Sequence, residues 1–135
     1  HISLISRRKI NFRYLVQISN DFLKTMIRGT CKPYEGNQVV CLSEDVPIKD
    51  DPEILVEVDR EDNNVLLRHI ILDDEENPLY VEHFIDRDFL NVLERTNRVI
   101  ILFVNERGEV LKRIAVTLTS EDVQTLRREM RLGIE

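Results

Sequence analysis

The chain is short of almost everything that usually announces chemistry. It has four glycines in 135 residues, so no glycine-rich loop is available to cradle a phosphate with backbone N–H groups. No serine sits on a G-x-S-x-G elbow. Two cysteines, Cys31 and Cys41, lack C-x-x-C spacing and have no histidine at zinc-finger distance, which argues against a structural zinc site. Two are also too few for a disulfide scaffold. A turn at 33–37 could bring them together, but they read better as two small buried hydrophobes in a reducing, cytoplasmic setting. No apolar run approaches the roughly 20 residues that a membrane helix needs.

What is present describes one well-solvated domain. At 135 residues, 42% apolar and 33% charged, the chain is long enough to bury one core but not two. It begins at His1 rather than Met, and residues 1–6 (HISLIS) read as tag-derived or disordered and carry little weight. The formal charge of −6 is unevenly spread: +6 over residues 1–32, −14 over 33–94 and +2 over 95–135. An acidic whole repels phosphate at long range, so nucleic acid is not the expected partner. The basic residues Arg7, Arg8, Lys9 and Arg13 are the local exception and the candidate nucleic-acid contact.

Hydrophobic periodicity sets the elements. Ile10, Phe12, Tyr14, Val16 and Ile18 alternate as a strand would. "SNDFLKTMIRG" then reads as a helix from a cap near Ser19 or Asn20, with Gly29 as its stop. One long helix through both is the alternative. "QVVCLS" is a short strand. "EILVEVDR" (53–60) and "NVLLRHIIL" (64–72) are two strands joined by a tight polar turn. "LYVEHFI" is extended or the start of a helix. "DRDFLNVLERTN" is a helix capped by Asp86 with Phe89, Leu90 and Leu93 as its apolar stripe. "RVIILFVN" is continuous enough to be a central strand buried on both faces. "VLKRIAVTL" returns from it, and Thr119 or Ser120 caps a last helix. The order (β)αβββαββα, with tight hairpins, predicts an α+β fold: a mostly antiparallel twisted sheet of five to six strands with helices packed on it.

Two stretches nearly repeat each other, "VDREDNNVLLR" at 58–68 and "VNERGEVLKR" at 104–113. A calcium loop starting at Asp59 would want Gly at its sixth position and Glu at its twelfth, where this chain has Asn64 and Ile70. Asp, Asn and Gly are what a hairpin tip needs, so the repeat reads as a turning device. Asp51, Glu57 and Asp59 approach a metal-nuclease pattern, but no lysine follows them. His69 alternates with Val65, Leu67 and Ile71, and His83 with Val81 and Ile85, so both are expected in or beside the core. Phe12 and Tyr14 flank Arg13 as an RNA-binding strand would, but on the opposite face from it.

The C-terminal part, "FLNVLERTNRVIILFVNERGEVLKRIAVTLTSEDVQTL", and the element order resemble class I type III secretion chaperones. They also resemble the YbjN-like sensory-transduction regulators that share their fold. The resemblance covers about the last third by pattern and the rest by topology, and no functional residue carries over from it. It implies a small acidic homodimer without catalysis that holds an extended partner segment. The expectation is a non-enzymatic protein-binding module of chaperone-like or regulatory type. Its partners would be itself and another protein, it would need no cofactor or metal, and Phe89, Leu90 and Leu93 are its candidate interface. Ordinary helix-on-sheet packing is the alternative role for those three. A nucleic-acid-binding regulator is the second reading, and a small enzyme the third.

Overall fold

The computed structural model describes residues 18–72, 75 and 77–134. The fold is α+β, and the described residues form two sheets of mostly antiparallel strands and three helices. The short helix α1 (Asn20–Leu23) precedes strands β1 (Cys31–Pro33), β2 (Gln38–Leu42), β3 (Ile54–Glu61), β4 (Asn64–Leu72) and β5 (Pro78–Ile85). Helix α2 (Arg87–Thr96), strands β6 (Arg98–Val104) and β7 (Val110–Thr117), and helix α3 (Ser120–Ile134) complete the order. The expected strand at 9–18 lies outside the described residues except for Ile18, as do Arg7, Arg8, Lys9 and Arg13.

In place of one sheet of five to six strands, seven strands divide into β1-β2-β6-β7 and β3-β4-β5. The reason lies in β6. Its apolar run is buried from Val99 to Val104, and β2, in parallel, and β7, antiparallel, take its two edges. The β3–β5 meander therefore has no edge of β6 to join and closes against the face of the first sheet instead. "LYVEHFI" belongs to β5, a full strand paired to β4. Between the sheets lies one core, built from Val39, Leu67, Ile71, Val81, Ile101, Leu126 and their neighbours. A smaller apolar cluster covers the other face of β2 and β6, where Val40, Leu102 and Val104 pack with Ile18 and Phe22.

The local signals explain the ends of the helices. Asp86 caps α2 by accepting from the Phe89 N–H at 2.8 Å, and Asn97 closes it in the left-handed conformation (φ 57°). Thr119 caps α3 in a reciprocal pair with Asp122, at 3.1 and 3.0 Å. Ser19 caps α1, but that helix stops after four residues, well before the expected stop at Gly29. The Thr25 hydroxyl takes the Phe22 carbonyl at 2.6 Å, and the Thr25 and Met26 amides bond three residues back, which tightens and ends the turn.

The two near-repeats are each a hairpin, one per sheet. Glu61 faces Asn64 across a two-residue tip at Asp62 and Asn63, with Asp62 at φ 58°. The second tip is longer and is organised by Asn105, whose Oδ1 accepts from the Arg107 and Glu109 amides.

Cys31 and Cys41 are bonded to each other, which corrects the reading of two separate hydrophobes. Tyr34 N–H bonds to the Gln38 carbonyl and Leu42 N–H to the Thr30 carbonyl. Strict alternation then puts Cys31 opposite Cys41 at a non-hydrogen-bonded position, where strands approach most closely. Their Cα atoms are 4.1 Å apart. The pairing removes the cysteine-based reason for a reducing compartment. Among the described residues, no helix is long and apolar enough to cross a membrane.

Candidate functional site

The β3-β4-β5 sheet turns one face to the core and the other to solvent. Along β3 the alternation sends Leu55, Glu57, Asp59 and Glu61 outward; along β5 it sends Tyr80, Glu82 and Phe84. Register stacks these into rows. Leu55, Ile70 and Tyr80 lie across the sheet in one apolar row, Glu57, Arg68 and Glu82 in a charged row, and Asp59, Leu66 and Phe84 in a third. Leu55, Tyr80 and Phe84 remain 50%, 54% and 46% exposed. An outward face of an antiparallel strand is ordinarily polar, so three half-exposed large apolar side chains on one small sheet are a departure from that pattern.

Arg68 sits at the middle of the face. Its Nε donates to Glu82 at 2.8 Å, its Nη1 to Glu57 at 3.1 Å and its Nη2 to Asp59 at 3.4 Å. Glu82 foremost, then Glu57, raises its already high pKa further. With Glu61 also on this face, four carboxylates oppose one guanidinium, leaving three negative charges.

The inner face of the same sheet carries the histidines. His69 and His83 are buried, at 0% and 2% exposure, on the diagonal of the β4–β5 ladder. Their Nε2 atoms are 3.2 Å apart, with ring planes within 21° and centroids 5.3 Å apart. The centroid separation exceeds the N···N distance by about two ring radii, so the imidazoles meet edge to edge and share one proton along the N···N line. Whichever ring donates, the other carries its own proton on Nδ1. The His69 Nδ1 has no partner among the described residues. Burial pushes the His69 pKa down to about 3, with a smaller contribution from His83. Burial also pushes His83 down to about 4, opposed in part by the Phe84 backbone. The pair is therefore neutral at pH 7. As an acid–base catalyst it would be both too weakly basic and shut away from substrate.

The other candidate residues fall elsewhere. Phe89, Leu90 and Leu93 are 5%, 6% and 0% exposed and belong to the core cluster. Phe89 lies against His83, with ring centroids 5.4 Å apart. The stripe is thus accounted for by helix-on-sheet packing inside the chain. Among the described residues, no three His, Cys, Asp or Glu side chains gather as a metal site would require. Tyr80 and Phe84 were not singled out from the sequence. The signal available was "LYVEHFI" itself, which is apolar at both parities of the alternation, with Leu79, Val81 and Ile85 on one side and Tyr80 and Phe84 on the other.

No known family model, curated protein or solved structure matches the chain.

Proposed function

We propose that the chain is a non-enzymatic protein-binding module, and that the outer face of β3-β4-β5 is its contact surface. One observation carries the reading: Leu55, Tyr80 and Phe84 stand about half exposed around a charged centre. Interfaces commonly combine aromatic anchors with polar groups that fix orientation, which supports the reading. Three surplus negative charges on the face favour a basic partner. They also disfavour a second copy docked face to face, since both faces would carry the same sign. Self-association, the other part of the sequence-based expectation, would have to use another surface. Light scattering behind size exclusion measures it against the monomer of 15.9 kDa.

The test is selection of displayed peptides on the folded protein, run in parallel on a Tyr80→Lys/Phe84→Lys variant. Both side chains point to solvent, so the variant keeps its core. Enrichment of basic, aromatic or aliphatic sequences on the wild type, lost on the variant, is the expected result. Equal enrichment on both proteins, or none on either, would remove this face as the binding surface.

A further inference from the structure

The outer face of β3-β4-β5 is not equally open along its length. Strand β1 lies beside β5 without a strand ladder between them. Toward the β3–β4 hairpin tip it walls off a groove of about 610 Å³. Sites that enclose small ligands measure about 300–1,000 Å³, so a side chain or a small molecule can enter here and a folded surface cannot. Leu66 and Phe84 line the groove from the sheet, and Cys31 and Pro33 line it from β1. Leu66 is buried and Phe84 half exposed, so an aromatic ring stands beside an apolar floor.

The charge in the groove is one-sided. Glu61, Glu82 and Asp86 line it, the first two from outward positions on β3 and β5 and the third from the cap of α2. Glu82 is tied to Arg68, and one oxygen of Asp86 accepts the Phe89 N–H, so both carboxylates are held in place. Glu61 is in no ion pair among the described residues. The one cation in the lining, Lys32, is turned elsewhere. Side chains alternate along β1, and the Lys32 Nζ lies over the Phe22 ring, 5.8 Å from its centroid. Phe22 belongs to the apolar cluster on the other face of β2 and β6. The same sheet face shows what such a set of acids can grip: one row away, Glu82, Glu57 and Asp59 hold the Arg68 guanidinium. The groove offers a second group of three carboxylates, one of them shared, with a ring beside it.

We infer that the groove takes an arginine side chain of the partner protein. This rests on the protein-binding reading above and names the chemistry of the partner's anchor. The aliphatic stem would lie along Leu66, and the guanidinium would stack on the Phe84 ring. Its fork would donate to Glu61 and Asp86. Lysine fits less well, because a point charge cannot lie flat on a ring and pair with two carboxylates at once. Apolar residues beside the arginine would rest on Phe84 and Pro33.

The probe is the synthetic peptide acetyl-Ala-Leu-Arg-Leu-Ala-amide, titrated into the isotope-labelled full chain and followed by amide chemical shifts in NMR. The amides of Glu61, Leu66, Phe84 and Asp86 should move. Replacing the arginine by citrulline, which keeps the shape and removes the charge, should weaken binding about tenfold or more. Glu61→Gln and Phe84→Leu should each weaken it about threefold, while Asp45→Asn, the same kind of charge change at an exposed residue outside the groove, should not. Because citrulline is on the peptide, misfolding of a variant cannot imitate its effect. Equal binding of the citrulline peptide overturns the inference but leaves the sheet face as a binding surface. N-acetylarginine amide binding as tightly as the peptide overturns it too, since the site then serves a free guanidinium compound and not a partner's side chain. Equal losses from Asp45→Asn and Glu61→Gln reduce the effect to general attraction by an acidic protein, which also overturns it. Absence of shifts at the groove overturns it as well, and the displayed-peptide selection then decides the broader reading by itself.

Discussion

Burial of the histidine pair should make the stability of this protein steeply dependent on pH, by an amount that follows from how far the two pKa values are lowered. His69 and His83 are held at about 3 and about 4 by burial, against 6.5 when exposed in the unfolded chain. A depressed folded pKa means that the unfolded chain binds protons first as pH falls. The stability is thus full above about pH 6.5. It falls through the window between 6.5 and the folded values and levels off below them. Within the window the slope approaches two protons, or about 3 kcal/mol per pH unit. At pH 5 each exposed histidine stabilises the unfolded state by about 2 kcal/mol, so the pair removes about 4 kcal/mol relative to pH 7.5. That is a large part of the 5–15 kcal/mol typical of a domain. Urea titrations at the two pH values measure it. With a slope near 2 kcal/mol per molar, the midpoint moves down by about 2 M. The control is a His69→Leu/His83→Leu variant, in which two leucines fill the space and no orphaned Nδ1 remains. It should lose little stability over the same range, because the carboxylates titrate mostly below pH 5. A wild type that is flat between pH 7.5 and 5, or a variant that falls as steeply as the wild type, refutes the reasoning.

Three other outcomes are expected. Gly108→Ala should destabilise by about 2 kcal/mol or more. Its φ of 84° is unfavourable for a side chain, and an added Cβ would lie 2.4 Å from the Ile18 carbonyl oxygen; thermal unfolding checks it, and a neutral result would mean that this turn is free to move. Reducing the Cys31–Cys41 bond, which closes ten residues of chain, should cost about 3 kcal/mol by loop entropy, read as a lower urea midpoint with reductant. Leu93→Ala should cost about 2–5 kcal/mol, since the side chain is fully buried, and should leave the mass in solution unchanged. A change of mass without loss of stability would return that helix face to a subunit contact.

Much of this architecture was legible in the residues. "RVIILFVN" reads as a strand buried on both faces, and β6 is one. Asp86 and Thr119 read as caps because a short side-chain oxygen precedes an amphipathic run, and both cap. The near-repeat reads as a turning device, and it turns a hairpin in each sheet. These signals are local: each depends on a few neighbouring residues whose backbone groups must be satisfied whatever lies beyond. Other features were misread although their causes are local, because the pattern there is interrupted or ambiguous. The α1 stretch has helical periodicity as far as Ile27, but Thr25 diverts a carbonyl and the helix ends early. The outer face of β5 was hidden because both parities of "LYVEHFI" are apolar, so alternation alone cannot say which side is wet.

By itself, then, the sequence determined the α+β class, the hairpins, the caps and the burial of the two histidines, because period and turn chemistry are properties of short segments. Only the tertiary structure decided that the strands form two sheets, since that turns on which edges of β6 are already occupied. It alone brought Cys31 opposite Cys41 at a narrow pair, and the two imidazoles into line at 3.2 Å. It alone set β1 beside β5 without a strand ladder between them. Those are matters of register between distant strands, and no short stretch of chain contains the partner that sets it.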